Sequence, residues 1–131
     1  MSNGHAIWRL TITQEFRDGT VVLSPAGRLG HAAAADLNRA IEAGLEAGAR
    51  HVVIDLTQVD YVSSGALLTA DAAADRLRAR DGLLILCGLN ETVQVTLEVA
   101  GWIDRFAIEA TRERALRRLV ASVTPAPVES L

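Results

Sequence analysis

The chain has 131 residues, one cysteine and a formal net charge of -3, from 13 basic and 16 acidic side chains. A chain of this length suits one domain with one core, a lone cysteine excludes an intrachain disulfide, and nearly balanced charge gives no broad basic surface for nucleic acid. The first residues lack the features of a signal peptide, and no run approaches the ~18 apolar residues that cross a bilayer. We therefore expect a cytoplasmic protein that binds neither nucleic acid nor membrane, with Cys87 buried as a small apolar residue.

The beginning of the chain predicts a β-hairpin. Residues 7–16 and 20–25 have the composition of two strands, and Arg17-Asp18-Gly19 connects them. The Asp-Gly pair supplies the positive φ angles that a tight turn between antiparallel strands needs.

An amphipathic helix is predicted next, over residues 32–48, after a turn at residues 27–30. Its apolar residues recur every four positions and charged residues fall between them, so one stripe should face a core. The stripe consists of Leu37, Ile41 and Leu45. Gly48 is the predicted end of the helix.

The stretch 51–68 should be the centre of the domain. Its run of β-branched residues, Val52-Val53-Ile54, lacks polar alternation and is typical of a central strand covered on both faces. A short apolar step over 59–62 leads into Ser63 and Ser64, where a second helix over 65–80 should begin. Free backbone N–H groups and the positive end of the helix dipole point at such a position, so we expect function there.

The rest of the chain alternates strand and helix again. We predict a buried strand over 83–87, a third helix over 91–100 capped by Asn90, a short edge strand over 106–109, and a last helix that Thr111 caps. Arginines crowd this last helix, where a solvated face is favoured over the alternative of a local basic patch for a nucleic-acid backbone. They are Arg112, Arg114, Arg117 and Arg118.

This order of elements predicts the fold class. Strands that alternate with helices indicate parallel pairs joined by right-handed crossovers, and the opening hairpin makes the sheet mixed. We expect a single α/β domain over residues 5–121, with a mixed sheet of four to five strands, parallel central strands and four helices. Residues 1–4 and 122–131 should be flexible termini.

At this point the residues resemble the STAS domain, in its stand-alone form as a bacterial anti-sigma factor antagonist. The resemblance covers about residues 11–120 and rests on three patterns in the right order. They are the strand-to-helix segment 52–67, the Gly-x-Leu step Gly27-Arg28-Leu29, and the spacing of Val93, Leu97, Gly101, Trp102 and Phe106. The resemblance implies a STAS-like fold.

The resemblance also implies partner switching. The unmodified protein would bind an anti-sigma factor that is often also a serine kinase, and phosphorylation would end the complex. The phosphoacceptor position falls on Ser64, with Ser63 as the lesser candidate. A serine phosphatase and a homodimer remain open as further partners, and no enzyme activity, cofactor or metal is expected. The implied partner-binding residues are Arg28, Gly30, His31, Ser63, Ser64, Gly65, Leu67 and Leu68.

The chain departs from the family pattern near this site. Ser63 and Gly30 stand where many members have an aspartate, and Gly65-Ala66 where members more often have a small residue followed by glycine. A second hypothesis is therefore a non-phosphorylated STAS scaffold subunit of a signalling assembly. A third is a STAS domain that senses a small ligand or nucleotide.

Several of these residues also have a purely structural interpretation. One of the two serines can be the N-cap of the second helix. Tyr61 and Val62 belong in the core if their segment packs as apolar strand ends usually do. Because Leu67 and Leu68 are about 100° apart on a helix, one of them should be exposed.

His31 is most simply an exposed loop histidine. It could instead pair with a phosphate or take part in catalysis. A Ser64–His31–Asp55 triad is not expected, because no nucleophile elbow surrounds Ser64.

Overall fold

The computed structural model of the protein describes residues 10–122. The elements are β1 Thr11–Arg17, β2 Thr20–Leu29, α1 Ala34–Glu46, β3 His51–Asp55, β4 Gln58–Val62, α2 Ser64–Arg78, β5 Leu84–Cys87, α3 Glu91–Val99, β6 Ala107–Glu109 and α4 Arg112–Ser122. A short 3-10 helix, His31–Ala33, leads into α1. The predicted start of the first strand at residues 7–9, and the predicted flexible termini apart from Ser122, lie outside the described residues.

The strands form one mixed sheet in the order β1, β2, β3, β5, β6, and β4 pairs with β2. β1 and β2 are antiparallel, and the other pairs are parallel. In the hairpin turn, Asp18 and Gly19 have φ angles of 50° and 83°, as the Asp-Gly pair predicts. The α/β fold class, the hairpin and the central position of β3 are confirmed.

The sheet has six strands, one more than the upper end of the predicted range of four to five. β2 does not end at residue 25, because its residues 26–29 continue beyond β3 and pair with β4. The prediction of a turn at residues 27–30 is therefore wrong for 27–29. The short segment 58–62 is a strand because it pairs with the extended end of β2. This pairing joins distant parts of the chain, so the sequence of the five residues alone does not indicate a strand.

Different helices cover the two faces of the sheet. In β3, Val52 and Ile54 lie in the larger core cluster with α1, α2 and α3, whereas Val53 lies in a smaller cluster with α4. All three side chains are at most 1% exposed. Cys87 is buried in the smaller cluster. The continuous apolar run of β3 thus results from burial on both faces, as predicted.

The helices follow the predicted pattern. The stripe of α1 is buried, and the chain turns at Gly48 with a φ of 103°. Asn90 caps α3 by accepting from the Val93 N–H at 2.9 Å, and Thr111 caps α4 by accepting from the Arg114 N–H at 3.1 Å. Among residues 10–122, no helix combines the length and the apolarity needed to cross a membrane.

Candidate functional site

Ser63 is the N-cap of α2. Its backbone is extended, with φ -90° and ψ 164°, and its side-chain oxygen accepts from the Ala66 N–H at 3.1 Å. Its own N–H donates to the Leu29 carbonyl at 3.0 Å, which ties the start of the helix to the end of β2. The side chain is buried. Ser63 therefore has the structural role that the sequence offered for one of the two serines.

Ser64 is the first residue of α2 and is exposed. The Ser63 side chain satisfies the N–H of Ala66, and the Ser63 carbonyl accepts from Leu67. Within the described part of the chain, the N–H groups of Ser64 and Gly65 have no acceptor. The Ser64 hydroxyl consequently stands at the positive end of a 15-residue helix, next to two free donors.

Tyr61 lies on the surface beside this position, and the prediction that it belongs in the core is wrong. The pairing of β2 with β4 shifts register, so that Gly27 faces Val59 but Arg28 faces Tyr61. This bulge adds Asp60 to β4 and turns Tyr61 outward, where 40% of it is exposed. The guanidinium carbon of Arg28 lies 4.2 Å from the centre of the Tyr61 ring, within cation–π distance.

Only one of the two adjacent leucines can contact a partner. Leu68 is 58% exposed, whereas Leu67 is 4% exposed and lies in the core. The expectation that one of the pair is exposed is confirmed. Leu67 is removed from the predicted partner-binding residues, because its side chain packs inside.

His31 follows Gly30 at the end of β2 and is exposed. Its ring rests on the first turn of α2: a Cβ built at Gly65 would lie 2.9 Å from His31 Nδ1. Gly30 is close to Tyr61, since a Cβ there would lie 3.9 Å from the ring. The structure thus brings the Gly30–His31 turn and the Ser64–Gly65 helix start together. The sequence separates them by more than thirty residues.

A shallow cavity of about 410 Å³ adjoins this turn. Its lining residues are Leu10, Arg28, Gly30, His31, Ala32, Ala33 and Asp36. The cavity is therefore bordered by the guanidinium of Arg28, the imidazole of His31 and the carboxylate of Asp36.

Asp55 takes no part in a triad with Ser64 and His31. Its carboxylate accepts from the Thr57 N–H at 3.0 Å and from the Thr57 hydroxyl, and Arg112 donates to it at 3.1 Å. Burial alone would raise the pKa of Asp55, but the Thr57 hydrogen bonds and the Arg112 charge lower it below its ordinary value. Arg112 is therefore not part of a solvated face, contrary to the prediction. The described residues contain no cluster of His, Cys, Asp or Glu that could hold a metal ion.

Comparison with known proteins identifies the family. Residues 11–115 match the model of the STAS domain. The Bordetella bronchiseptica protein named "Putative anti-sigma factor antagonist BtrV" is 32% identical over 106 residues, which are 81% of this chain and 91% of that protein.

Solved structures share the fold. An anti-sigma factor antagonist from Mycobacterium paratuberculosis has a TM-score of 0.75 at 24% identity, over 85% of this chain and 94% of that one. The anti-sigma factor antagonist SpoIIAA in its unphosphorylated form has a TM-score of 0.72 at 22% identity, over 85% and 97% of the two chains. Bacillus SpoIIAA in its phosphorylated form has a TM-score of 0.63 at 20% identity, over 82% and 98%. With its family model matched over most of its length, this chain belongs to the STAS domain family.

Proposed function

We propose that this protein is an anti-sigma factor antagonist that works by partner switching. In its unmodified form it binds an anti-sigma factor that is also a serine kinase, and phosphorylation of Ser64 ends the complex. A serine phosphatase restores the unmodified form. The protein acts in the cytoplasm as a binding protein and not as an enzyme.

One observation carries this proposal: an exposed serine hydroxyl at the start of α2, flanked by exposed apolar side chains. Ser64 is exposed while its neighbour Ser63 is buried as the N-cap, so a kinase can reach only the former without opening the helix. Tyr61 and Leu68, 40% and 58% exposed, lie one on each side of it in the chain. Covering such side chains supplies the attraction for a partner, with Ser64 inside the covered area.

The charge of a phosphate explains how the complex would end. A phosphoserine adds about -1.5 to -2 charges at pH 7. In the free protein this charge is tolerated, because the helix dipole and water stabilise it. Under a partner without counter-charge it would cost several kcal/mol, and each ~1.4 kcal/mol weakens binding tenfold. Binding can thus be switched without a change of fold.

The proposal is tested by the affinity of the cognate anti-sigma factor for single variants. We expect Ser64→Asp to weaken binding at least about 100-fold, equivalent to about 2.7 kcal/mol, with an unchanged circular dichroism spectrum. Ala43→Asp is the matched control, since it adds the same charge at an exposed position of α1. Ala43 lies about 14 Å along that helix from Ala34, its first residue. Unchanged affinity of Ser64→Asp, or an equal loss with Ala43→Asp, would contradict the proposal.

A scaffold role is the second candidate. It is favoured because Gly30 and Ser63 stand where many family members have a carboxylate. The Ser63 hydroxyl is also already bonded to the Ala66 N–H at the start of α2. A scaffold subunit would form large assemblies, in which homodimers of this chain could take part. Light scattering that finds such assemblies, together with no phosphorylation by any host kinase, would favour this role over switching.

A further inference from the structure

The ring of His31 fills the space in which a side chain at position 65 would lie. A Cβ at Gly65 would be 2.9 Å from His31 Nδ1, 3.6 Å from Cε1 and 3.8 Å from the Ser63 hydroxyl oxygen. A real Cβ does not come within 3.0 Å of another heavy atom, so a side chain at position 65 would have to displace the imidazole from its present place. The absence of a side chain at Gly65 therefore lets His31 lie directly against the first turn of α2.

This position places the His31 ring against Gly65, the residue that follows Ser64 in the first turn of α2. Ser64 and Gly65 are consecutive residues, and their N–H groups are the two donors at the helix start that have no acceptor in the part of the chain that the structure describes. An imidazole offers ring N–H donors, two when it is protonated. No hydrogen bond or ion pair of the His31 side chain is present among the described residues, so the ring is available to a new acceptor.

We propose that His31 is a positioning residue that donates a hydrogen bond to the phosphate on Ser64. The inference rests on the proposed function, since it assumes that Ser64 is the modified residue. The phosphate oxygens would then be shared among the Ser64 N–H, the Gly65 N–H and the imidazole. Such a contact would fix the phosphate on the domain's own surface and keep it at the place where the partner binds.

The other charged and titratable groups near His31 lie on β2, α1, β4 and α2. Arg28 of β2 and Asp36 of α1 line the same cavity, and Asp36 also pairs with Arg39. Tyr61 of β4 is stacked against Arg28. On α2 the first ionisable side chain is Asp71, which pairs with Arg105 at 2.7 Å. A phosphate on Ser64 consequently meets no carboxylate on its own helix within the first seven residues.

The test uses the full chain with phosphoserine installed at position 64 during synthesis, so that neither kinase nor partner is needed. The ³¹P resonance is followed through a pH titration for the wild type, His31→Ala and His31→Lys. A cation beside the phosphate favours its doubly charged form, so we expect the wild-type midpoint to lie roughly half a unit below that of His31→Ala. His31→Lys should restore the low midpoint.

Equal midpoints in all three proteins would overturn the proposal. If His31→Ala does not fold, the test uses the wild-type protein alone. The imidazole ¹⁵N resonances are then compared between the protein with and the protein without the phosphate. The His31 resonances should shift. Those of His51 should not, because its Nδ1 accepts from the Leu83 N–H at the opposite end of the sheet. Unchanged His31 resonances would equally overturn the proposal.

The two proposals can fail separately. A protein whose phosphoserine contacts His31 but still binds the anti-sigma factor retains this inference and loses the switch. A protein whose complex dissociates on phosphorylation, without any effect of His31 on the phosphate, retains the switch and loses this inference.

Discussion

Arg112 should make the main polar contribution of α4 to stability, and its removal tests how the start of that helix is attached to the sheet. The residue begins α4, and its guanidinium reaches three strands. It donates to Glu15 of β1 at 3.0 Å, to Ser24 of β2 at 2.8 Å and to Asp55 of β3 at 3.1 Å. The perturbation is Arg112→Met, which keeps a long side chain and the helix propensity but removes all three donors.

The expected loss follows from the exposure of each partner. The Asp55 side chain is 13% exposed, so its charge-assisted bond should contribute about 1.5–3 kcal/mol. The Glu15 side chain is 44% exposed, and a screened surface pair contributes about 0–1 kcal/mol. Since these terms are not additive, we expect a total loss of about 2–3 kcal/mol. For a domain of this size that lowers the Tm by about 6–12 °C.

The assay is urea unfolding at pH 7, with Arg118→Met as the control. Arg118 also lies on α4, but it makes one ion pair, with Glu109, and both side chains are more exposed than the Asp55 carboxylate. Its replacement should cost at most about 1 kcal/mol. A loss for Arg112→Met below about 0.5 kcal/mol, or one no larger than that for Arg118→Met, would refute the reasoning.

The same pair predicts a dependence on pH. The pKa of Asp55 is lower in the folded than in the unfolded chain, so its contribution is complete above the ordinary carboxyl pKa of about 3.9. That contribution is lost as the pH falls through the folded-state pKa. The stability difference between wild type and Arg112→Met should therefore narrow as the pH falls from about 5 towards 2. A constant difference would show that the Asp55 charge is not what Arg112 stabilises.

Two further predictions concern the core. A Cβ at Gly44 would lie 2.8 Å from Cγ1 of the fully buried Val21, so Gly44→Ala should cost about 1 kcal/mol in urea unfolding despite its better helix propensity. In a Val21→Ala background it should become stabilising, and an equal loss in both backgrounds would contradict the assigned contact. The second prediction concerns Cys87. Its burial is the main cause, and the nearby Asp55 charge a smaller one, that raises the pKa of the Cys87 thiol to about 12. A thiol reagent at pH 8 should therefore react only as the protein opens, and fast reaction of the folded protein would contradict this.

Regular elements could be predicted because their signals are local. The buried run of β3 and the stripe of α1 each follow from the periodicity of a few residues. The Asn90 cap and the Asp18-Gly19 turn follow from side-chain chemistry at one or two positions. These features need no knowledge of the rest of the fold.

The errors concern residues whose surroundings are set by distant parts of the chain. Tyr61 faces outward because of one extra residue in the pairing of β4 with β2, and a shift of one residue exchanges the two faces of a strand. Arg112 resembles the other arginines of α4 in sequence, yet it alone lies over the end of β3, where the Asp55 carboxylate is partly buried. Neither position can be recognised without the register of the sheet.

The site was predictable in part for the same reason. A serine at a helix start is a local feature, so Ser64 could be selected from the sequence. The contact of His31 with Gly65 depends on the end of β2 lying beside the start of α2, which the Ser63 N–H bond to the Leu29 carbonyl secures. Only the resemblance to the STAS family suggested that these two segments meet.

One measurement tests the switch directly. The unmodified protein is mixed with the proposed partner, an anti-sigma factor that is also a serine kinase, to form the complex. ATP and Mg²⁺ are then added, and complex size and phosphopeptide masses are followed in the same samples. We predict that the complex disappears as phosphate accumulates on Ser64, and that a Ser64→Ala complex persists. A complex that survives full phosphorylation of Ser64, or that dissociates while the phosphate is on another residue, would contradict the account.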